Sequence, residues 1–213
     1  MTQRYNSEDT IDDILTAASH LFIQKGYEKT SIQDIVNELD GLTRGAIYHH
    51  FNSKDDILEA VVKRLVLNPK YIERIIQQDL TGLEQLQQLL LEGISNDESL
   101  TNFSASFPLL DNPKFFMMHV KNNNEILVPY IEKMIISGNQ DGSLHVPYPK
   151  QMAEVVILVL VTWFTNALFP TEVTDILPKI NAAKHVLNSV GLNILSDEIM
   201  AEITRKLVTA QKK

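Results

Sequence analysis

The sequence predicts an all-α fold. Wherever a segment carries enough apolar residues to form a core, they recur at spacings of three and four, the period of an amphipathic helix. No segment alternates between apolar and polar residues for long enough to predict a sheet. With 213 residues, of which 44% are hydrophobic and 22% charged, the chain has a globular composition. Its length allows one domain of unusual size or two smaller ones, and two are expected.

The first two helices are predicted near the N-terminus. Apolar residues spaced by three and four predict a helix over Thr10 to Lys25. A shorter helix follows in KTSIQDIVNEL, where two capping boxes are compatible with the sequence. Thr30 can pair with Gln33. Ser31 can pair with Asp34 in the same way.

A third and a fourth helix follow at short intervals. Thr43 is a suitable cap for a helix that runs to about His50. Ser53 is a suitable cap for the next helix, and Asp55 and Asp56 fall in its first turn, where carboxylates interact favourably with the helix dipole. A tight turn between the second and third helices predicts a helix-turn-helix unit.

The predicted helix-turn-helix domain covers residues 1–52. Residues 53–213 form the second predicted domain, and the helix that starts at Ser53 connects the two. Asn68 and Pro69 either kink this helix or start a new one, since proline is accepted at a first helical position.

The second domain is also predicted to be helical. Helical periodicity recurs in TGLEQLQQLLLEGI (81–94), in a segment capped by Asn112 and Pro113 (112–137), in PKQMAEVVILVLVTWFTNALF (149–169), and in SDEIMAEITRKLV (196–208), which Ser196 caps. The segment from Gly138 to Pro149 is predicted to be a loop.

The most apolar run, Val155 to Phe169, is predicted to be a buried helix. Its fifteen residues fall short of the roughly 20 that span a bilayer, so no membrane partner is expected. The polar and acidic start of the chain does not predict a secretory signal, and the absence of cysteine fits a reducing compartment. A cytoplasmic location is therefore expected.

One window of twelve residues, TRGAIYHHFNSK from Thr43 to Lys54, contains no acid. The whole chain carries 27 Asp and Glu against 19 Lys and Arg, a net charge of -8. A protein that coats nucleic acid without specificity needs many cations to neutralise phosphates, so this composition excludes that class. A local contact between the window and a phosphate backbone remains compatible with it.

The third helix has two distinguishable faces. Ala46, Ile47 and His50 fall on or near one face with Phe51, while Arg44, Tyr48 and His49 project elsewhere. Gly45 costs a helix about 1 kcal/mol relative to alanine, so its presence needs a reason. Close approach to DNA is one reason, and easier packing inside the protein is the alternative.

The segment from Ile14 to Leu58 resembles the N-terminal DNA-binding domain of the TetR family of bacterial transcriptional repressors, in AcrR-like form. The resemblance lies in an AAxxLFxxxGY run, a TS cap before IxxI, the TxGxIYxHF helix and the SKxxIL start of the fourth helix. These motifs occur in the family's order over about a fifth of the chain. ELDGLTRG is one residue longer than the family's commonest turn, which predicts shifted contacts at the start of the third helix.

The resemblance implies a set of DNA-contacting residues. The residues that match the family's major-groove contacts are Arg44, Gly45, Ala46, Tyr48 and His49, and those that match its phosphate contacts are Tyr48, His50 and Lys54. Thr43, which caps the same helix, is also expected to contact DNA. From the second helix, Ser31 is expected to contact a phosphate, and Gln33 a base or a phosphate. Arginine has the right fork geometry for guanine O6 and N7.

The sequence gives little support for a metal site, a catalytic site or a cofactor site. The adjacent residues His49 and His50 do not share a helix face, so a metal site is not expected. The sequence contains no GxSxG turn and no phosphate-cradling glycine loop, so neither an enzyme nor a bound cofactor is predicted.

The rival hypothesis is a small-molecule-binding protein or enzyme whose helix-turn-helix contacts only proteins. Residues 1–64 support it with 7 Lys and Arg against 11 Asp and Glu.

The resemblance also implies a ligand-sensing and dimerisation domain after residue 53. Aromatic and polar residues in two segments are candidates for a pocket that binds an unknown small molecule: Phe103, Phe107, Phe116, Met117, His119, Trp163 and Asn166. For each of these residues, an ordinary place in the core is the alternative.

The Val155 to Phe169 run and the helical pattern after Thr171 are predicted to form the interface of a homodimer. Such a dimer would place two recognition helices about 34 to 36 Å apart and read an inverted-repeat operator. A ligand that changes helix packing in the larger domain would alter this separation and lift repression.

Overall fold

The structure is a computed structural model that describes residues 7–39, 41–64, 68–95, 109–110, 112–165 and 168–210. Every regular element in these ranges is helical, so the predicted all-α fold is confirmed. The α-helices are α1 (Ser7–Lys25), α2 (Ile32–Glu38), α3 (Arg44–His50), α4 (Lys54–Lys63), α5 (Pro69–Ile76), α6 (Gly82–Ser95), α7 (Pro113–Asp141), α8 (Pro149–Leu160), α9 (Ile176–Ser189) and α10 (Asp197–Ala210).

The helix starts follow the capping residues of the sequence. Ser31, not Thr30, caps α2, because its side chain accepts from the Asp34 amide while Asp34 accepts from the Ser31 backbone. Thr43 accepts from the Ala46 amide at the start of α3, and Ser53 accepts from the Asp56 amide at the start of α4. Each cap satisfies an amide that the first helical turn leaves without a partner.

Asn68 and Pro69 start a new helix and do not kink the preceding one. The Asn68 side chain accepts from the Lys70 amide, and Pro69 is the first residue of a new helix, α5. Proline is accepted at this position because its missing amide proton has no helical acceptor.

Two predicted boundaries were wrong. The apolar run from Val155 is not one helix to Phe169, because α8 ends at Leu160 and a 3-10 turn occupies Thr162–Phe164. The segment predicted as a loop from Gly138 is shorter than expected, because α7 continues to Asp141. Apolar periodicity indicates that a helix exists but marks its ends poorly when no capping residue is present.

The described residues divide into two compact units. The first comprises those within Met1–Val66 and Asn102–Val120. Its core is formed by buried apolar residues of α1 to α4 together with Leu109, Leu110 and Phe115. The domain boundary between residues 52 and 53 remains a proposal.

The second unit comprises the described residues within Leu67–Thr101 and Lys121–Lys213. In it the start of α6 passes very close to α7, since a Cβ built on Gly82 would lie 2.1 Å from the Gly138 amide nitrogen. The Gly82 amide donates to Asp141 Oδ2 at 2.8 Å. Only a residue without a side chain fits at this crossing.

None of the helices that the structure describes is long and apolar enough to cross a membrane. This includes α8, which carries the most apolar part of the sequence but ends after Leu160.

Candidate nucleic-acid interface

Helix α3 is held to the first unit by one buried side chain. Ile47 is 0% exposed and belongs to the core that α1 and α4 also form. Around it, Arg44 and His49 are exposed, and Tyr48 is 45% exposed. A seven-residue helix with one apolar anchor therefore presents a cationic and aromatic surface to solvent.

Arg44 and Tyr48 lie together on this surface, one helical turn apart. The Arg44 guanidinium carbon is 5.6 Å from the centroid of the Tyr48 ring, and Arg44 Nη2 is 3.5 Å from the Tyr48 hydroxyl. Among the described residues no carboxylate forms an ion pair with Arg44. The guanidinium thus keeps most of its donors available for a base or a phosphate.

Gly45 has open space beside it. A Cβ built on Gly45 would meet only the Thr43 hydroxyl oxygen, at 3.8 Å, an ordinary contact distance. Packing among the described residues therefore does not require glycine here, which weakens the alternative considered from the sequence. Close approach of another molecule stays the predicted reason for a glycine at this position.

The remaining predicted residues of α3 have mixed environments. Thr43 is exposed and engaged in capping, whereas Ala46 and His50 are half-buried. The His49 and His50 rings meet edge to face, with 5.1 Å between their centroids. In the described part of the chain, no group of three or more His, Asp or Glu side chains could hold a metal ion.

On α2, Ser31 and Gln33 are both exposed. The Ser31 hydroxyl donates to Asp34 Oδ2 at 2.7 Å, and the Gln33 amide donates to Asn37 Oδ1 at 3.0 Å. Hydrogen bonds from Lys25 and then Ser31 hold the pKa of the Asp34 carboxyl well below its usual range. Ser31 is thus fixed as a helix cap, and a further contact with phosphate stays a prediction.

Lys54 is half-buried and has intramolecular partners. Its Nζ donates to the backbone oxygens of Tyr27 at 2.8 Å and Thr30 at 2.9 Å, and lies 3.4 Å from that of Glu28. It also lies 4.2 Å from the centroid of the Tyr27 ring. These contacts fix the turn between α1 and α2. Contact between Lys54 and a phosphate stays a prediction.

The ligand candidates are scattered in the structure. Phe103, Phe107 and Asn166 lie outside the described residues. Phe116 packs against the core of the first unit, and Met117 is 63% exposed. Their assignment to a pocket stays a prediction, as does that of Trp163, which is half-buried next to Phe164.

His119 is the most deeply buried of these candidates, at 2% exposed. Burial lowers the pKa of His119 to about 4. Since an exposed histidine titrates near 6.5, the unfolded chain binds the proton more tightly than the folded chain between these values. Stability is therefore fully present above about pH 6.5 and falls as the pH drops towards 4.

The free energy of unfolding is expected to be about 2 kcal/mol lower at pH 5 than at pH 7 because of His119 alone. The measurement is urea unfolding at several pH values. A His119→Gln variant is expected to lose this part of the pH dependence, whereas His145→Gln, at an exposed position, is expected to keep it. An unchanged slope in the His119 variant would contradict the assignment.

Two features of the described residues were not predicted from the sequence: the environment of the Asn122 amide and an ion pair between Lys114 and Asp55. The Asn122 side chain is 6% exposed, and its Nδ2 has no hydrogen-bond partner among the described residues. Lys114 and Asp55 form an ion pair of 2.6 Å within the first unit, beside Tyr27. The only sequence signal for this pair is a lysine in the first turn of a helix, where cations are unfavourable.

Comparisons with known proteins match the segment that contains α1 to α4. The family model for bacterial regulatory proteins of the tetR family matches residues 14–61. The TetC protein of transposon Tn10 from Escherichia coli is 32% identical over 114 residues, which are 51% of this chain and 56% of that protein. The HTH-type transcriptional regulator TtgR of Pseudomonas putida is 33% identical over 88 residues, 40% of this chain and 41% of TtgR.

The two matches thus span 56% of TetC and 41% of TtgR. The fold likeness is wider, since NalD, the secondary repressor of the MexAB-OprM multidrug efflux pump in Pseudomonas aeruginosa, superposes with a TM-score of 0.63 at 23% identity. This superposition covers 87% of this chain and 96% of NalD. Residues 14–61 therefore carry a domain of the tetR family of bacterial regulatory proteins, in a chain whose helical fold is similar to that of NalD.

Proposed function

We propose that the protein is a DNA-binding transcriptional regulator that responds to a ligand. In this proposal it binds an inverted-repeat operator in the cytoplasm as a homodimer and represses transcription until a small-molecule inducer releases it. The observation that carries the proposal is the surface of α3, where Arg44, Tyr48 and His49 are exposed around the buried Ile47. The description of NalD as a repressor supports the direction of regulation.

Each predicted contact has a chemical role in this proposal. Arg44 donates as a fork to guanine O6 and N7 in the major groove. Tyr48 and His49 donate to phosphate or touch a thymine methyl group, and Gly45 lets the backbone of α3 approach the base edges. Phosphate contacts fix the register without carrying sequence information.

Exposed apolar residues of the second unit support the dimer. Leu158 on α8 is 54% exposed, and further large apolar side chains are exposed between α8 and α9 and on α9 itself: Leu168, Phe169, Leu177 and Val186. Large apolar side chains exposed on neighbouring segments are candidates for a contact surface on a soluble protein. A two-fold dimer formed here would carry two copies of α3 and match an inverted repeat.

The buried Asn122 amide supports the response to a ligand. A buried donor without an acceptor costs roughly 1 to 3 kcal/mol, and a bound molecule with a suitably placed oxygen would remove this cost. Binding that repacks the helices around Asn122 would change the separation of the two α3 helices, so both half-sites could no longer be occupied together.

The test of the function is a salt titration of DNA binding. Duplexes that the wild-type protein recovers from a random-sequence library are used as the probe, and the dissociation constant is measured over a range of salt concentrations. The logarithm of the association constant is expected to fall linearly with the logarithm of salt concentration, by about 0.9 per neutralised phosphate. Recovery of no inverted repeat, or binding without salt dependence, would contradict the proposal.

Gly45→Ala is expected to stabilise the protein and to weaken DNA binding. The added methyl group has room in the free protein, where a Cβ at this position meets only Thr43 Oγ1 at 3.8 Å. Alanine raises helix propensity by up to about 1 kcal/mol over glycine, which raises the melting temperature by about 2 to 4 °C.

The same methyl group would occupy space between α3 and the DNA, so affinity for the selected duplex is expected to fall. Calorimetric melting and fluorescence anisotropy measure the two effects on one sample. Unchanged affinity in this variant would show that the DNA does not approach the backbone at Gly45.

A further inference from the structure

Two lysines of the first unit occupy positions that are unfavourable for a cation. Lys54 is the first residue of α4 and Lys114 is the second residue of α7. The N-terminal end of a helix carries partial positive charge, so a lysine there is repelled by the helix dipole. Departures from such a local rule tend to mark functional or strained sites.

Both ammonium groups lie on the ring of Tyr27. The Nζ atoms of Lys54 and Lys114 are 4.2 and 5.3 Å from its centroid. Tyr27 itself is buried and meets the Phe22 ring edge to face, with 5.2 Å between the centroids. The attraction of each cation to the aromatic face offsets its unfavourable place at a helix start.

Asp55 completes the cluster. Lys114 Nζ donates to Asp55 Oδ1 at 2.6 Å, and the Tyr27 hydroxyl donates to the same oxygen. The hydrogen bonds from Lys114 and then Tyr27 lower the pKa of the Asp55 carboxyl, while burial and then Asp55 raise the pKa of the Tyr27 phenol. Asp55 is therefore the charged acceptor of both donors.

The cluster holds the turn that precedes α2. Lys54 binds the backbone oxygens of Tyr27 and Thr30, and Thr30 is followed directly by Ser31, the cap of α2. Lys54 thus holds the backbone directly before α2, and the Thr30 amide donates to the same Tyr27 oxygen at 3.2 Å. Lys114 is held against this turn because Leu109, Leu110 and Phe115 are buried in the core of the same unit.

We propose that Lys114 is a positioning residue for DNA binding. It acts from outside the helix-turn-helix by fixing Tyr27 and Asp55, and with them the turn between α1 and α2. The inference rests on the proposed function. Lys114 lies in the first turn of α7, which belongs to the first unit up to Val120.

The test compares Lys114→Met with Lys114→Arg. Methionine keeps an apolar stem and removes the charge, whereas arginine keeps the charge. Hydrogen exchange of the amides of Tyr27–Ser31 and Ser53–Ile57 is measured by mass spectrometry. The affinity for the duplex selected by the wild-type protein is measured over a range of salt concentrations, and Lys121→Met, which removes an exposed cation from the same helix, is the control.

Lys114→Met is expected to exchange faster at Tyr27–Ser31 and to bind the duplex up to about fivefold more weakly, the effect of losing a strong surface ion pair. The salt slope is expected to equal that of the wild type, since no phosphate contact is lost. Lys114→Arg is expected to restore both properties, and Lys121→Met to leave both unchanged.

A salt slope reduced by about one in Lys114→Met would identify Lys114 as a direct phosphate contact and overturn the positioning role. Unchanged exchange with unchanged affinity would overturn it as well. If the wild type binds no duplex, the proposed function fails. The exchange comparison then decides by itself whether Lys114 fixes the turn.

Discussion

Gly82→Ala is expected to lower the free energy of unfolding by about 3 kcal/mol, at the upper end of the range for overpacking. The new Cβ would lie 2.1 Å from the Gly138 amide nitrogen and 2.3 Å from the Met134 carbonyl oxygen. Both are backbone atoms of α7, so no change of rotamer can relieve the overlap. The helices must separate, which also weakens the hydrogen bond from the Gly82 amide to Asp141.

Thermal unfolding measures this effect. A loss of about 3 kcal/mol corresponds to a fall in melting temperature of about 6 to 12 °C for a chain of this size. Gly45→Ala makes the same chemical change at a position with open space and is the matched control. If both variants melt at the wild-type temperature or above, α6 and α7 do not cross as closely as the structure has them.

Arg44→Ala is expected to weaken binding to the selected duplex by about 1 to 3 kcal/mol, or roughly 5- to 150-fold. Specificity is expected to relax at one base pair, because the fork of donors that distinguishes guanine is lost. Stability is expected to change little, since Arg44 is exposed and its described partner is the neighbouring Tyr48.

Competition with duplexes altered at single positions measures the loss of specificity. Lys150→Ala removes an exposed cation from the second unit and controls for net charge. Arg44→Lys keeps the charge without the planar fork, so it is expected to recover affinity better than base preference. Equal losses in Arg44→Ala and Lys150→Ala would indicate that Arg44 contributes only general charge.

Local chemistry explains which parts of the fold the sequence predicts. The caps at Ser31, Thr43 and Ser53 each involve a residue three positions later, so the signal is complete within one helical turn. The exposed surface of α3 was predictable for a similar reason. In this short helix the apolar Ile47 is buried, whereas the cation Arg44 is exposed.

Contacts between distant segments explain what the sequence does not predict. The ion pair between Asp55 and Lys114 joins residues 59 positions apart, and the crossing of Gly82 with Gly138 joins two glycines that resemble ordinary turn residues. The end of α8 at Leu160 also escaped prediction, because the apolar pattern continues past it without a stop signal. The hydrogen bond from Lys54 to the Tyr27 backbone oxygen was not predicted for the same reason, because it joins residues 27 positions apart.

The single anchor of α3 has a consequence for how such a protein can diverge. Because Ile47 alone of the seven residues is buried, the exposed side chains Arg44, Tyr48 and His49 can be exchanged with little effect on folding, typically within about 0.5 kcal/mol at each site. A gene duplicate could therefore acquire a new target sequence by drift at these positions, with no compensating change in the core.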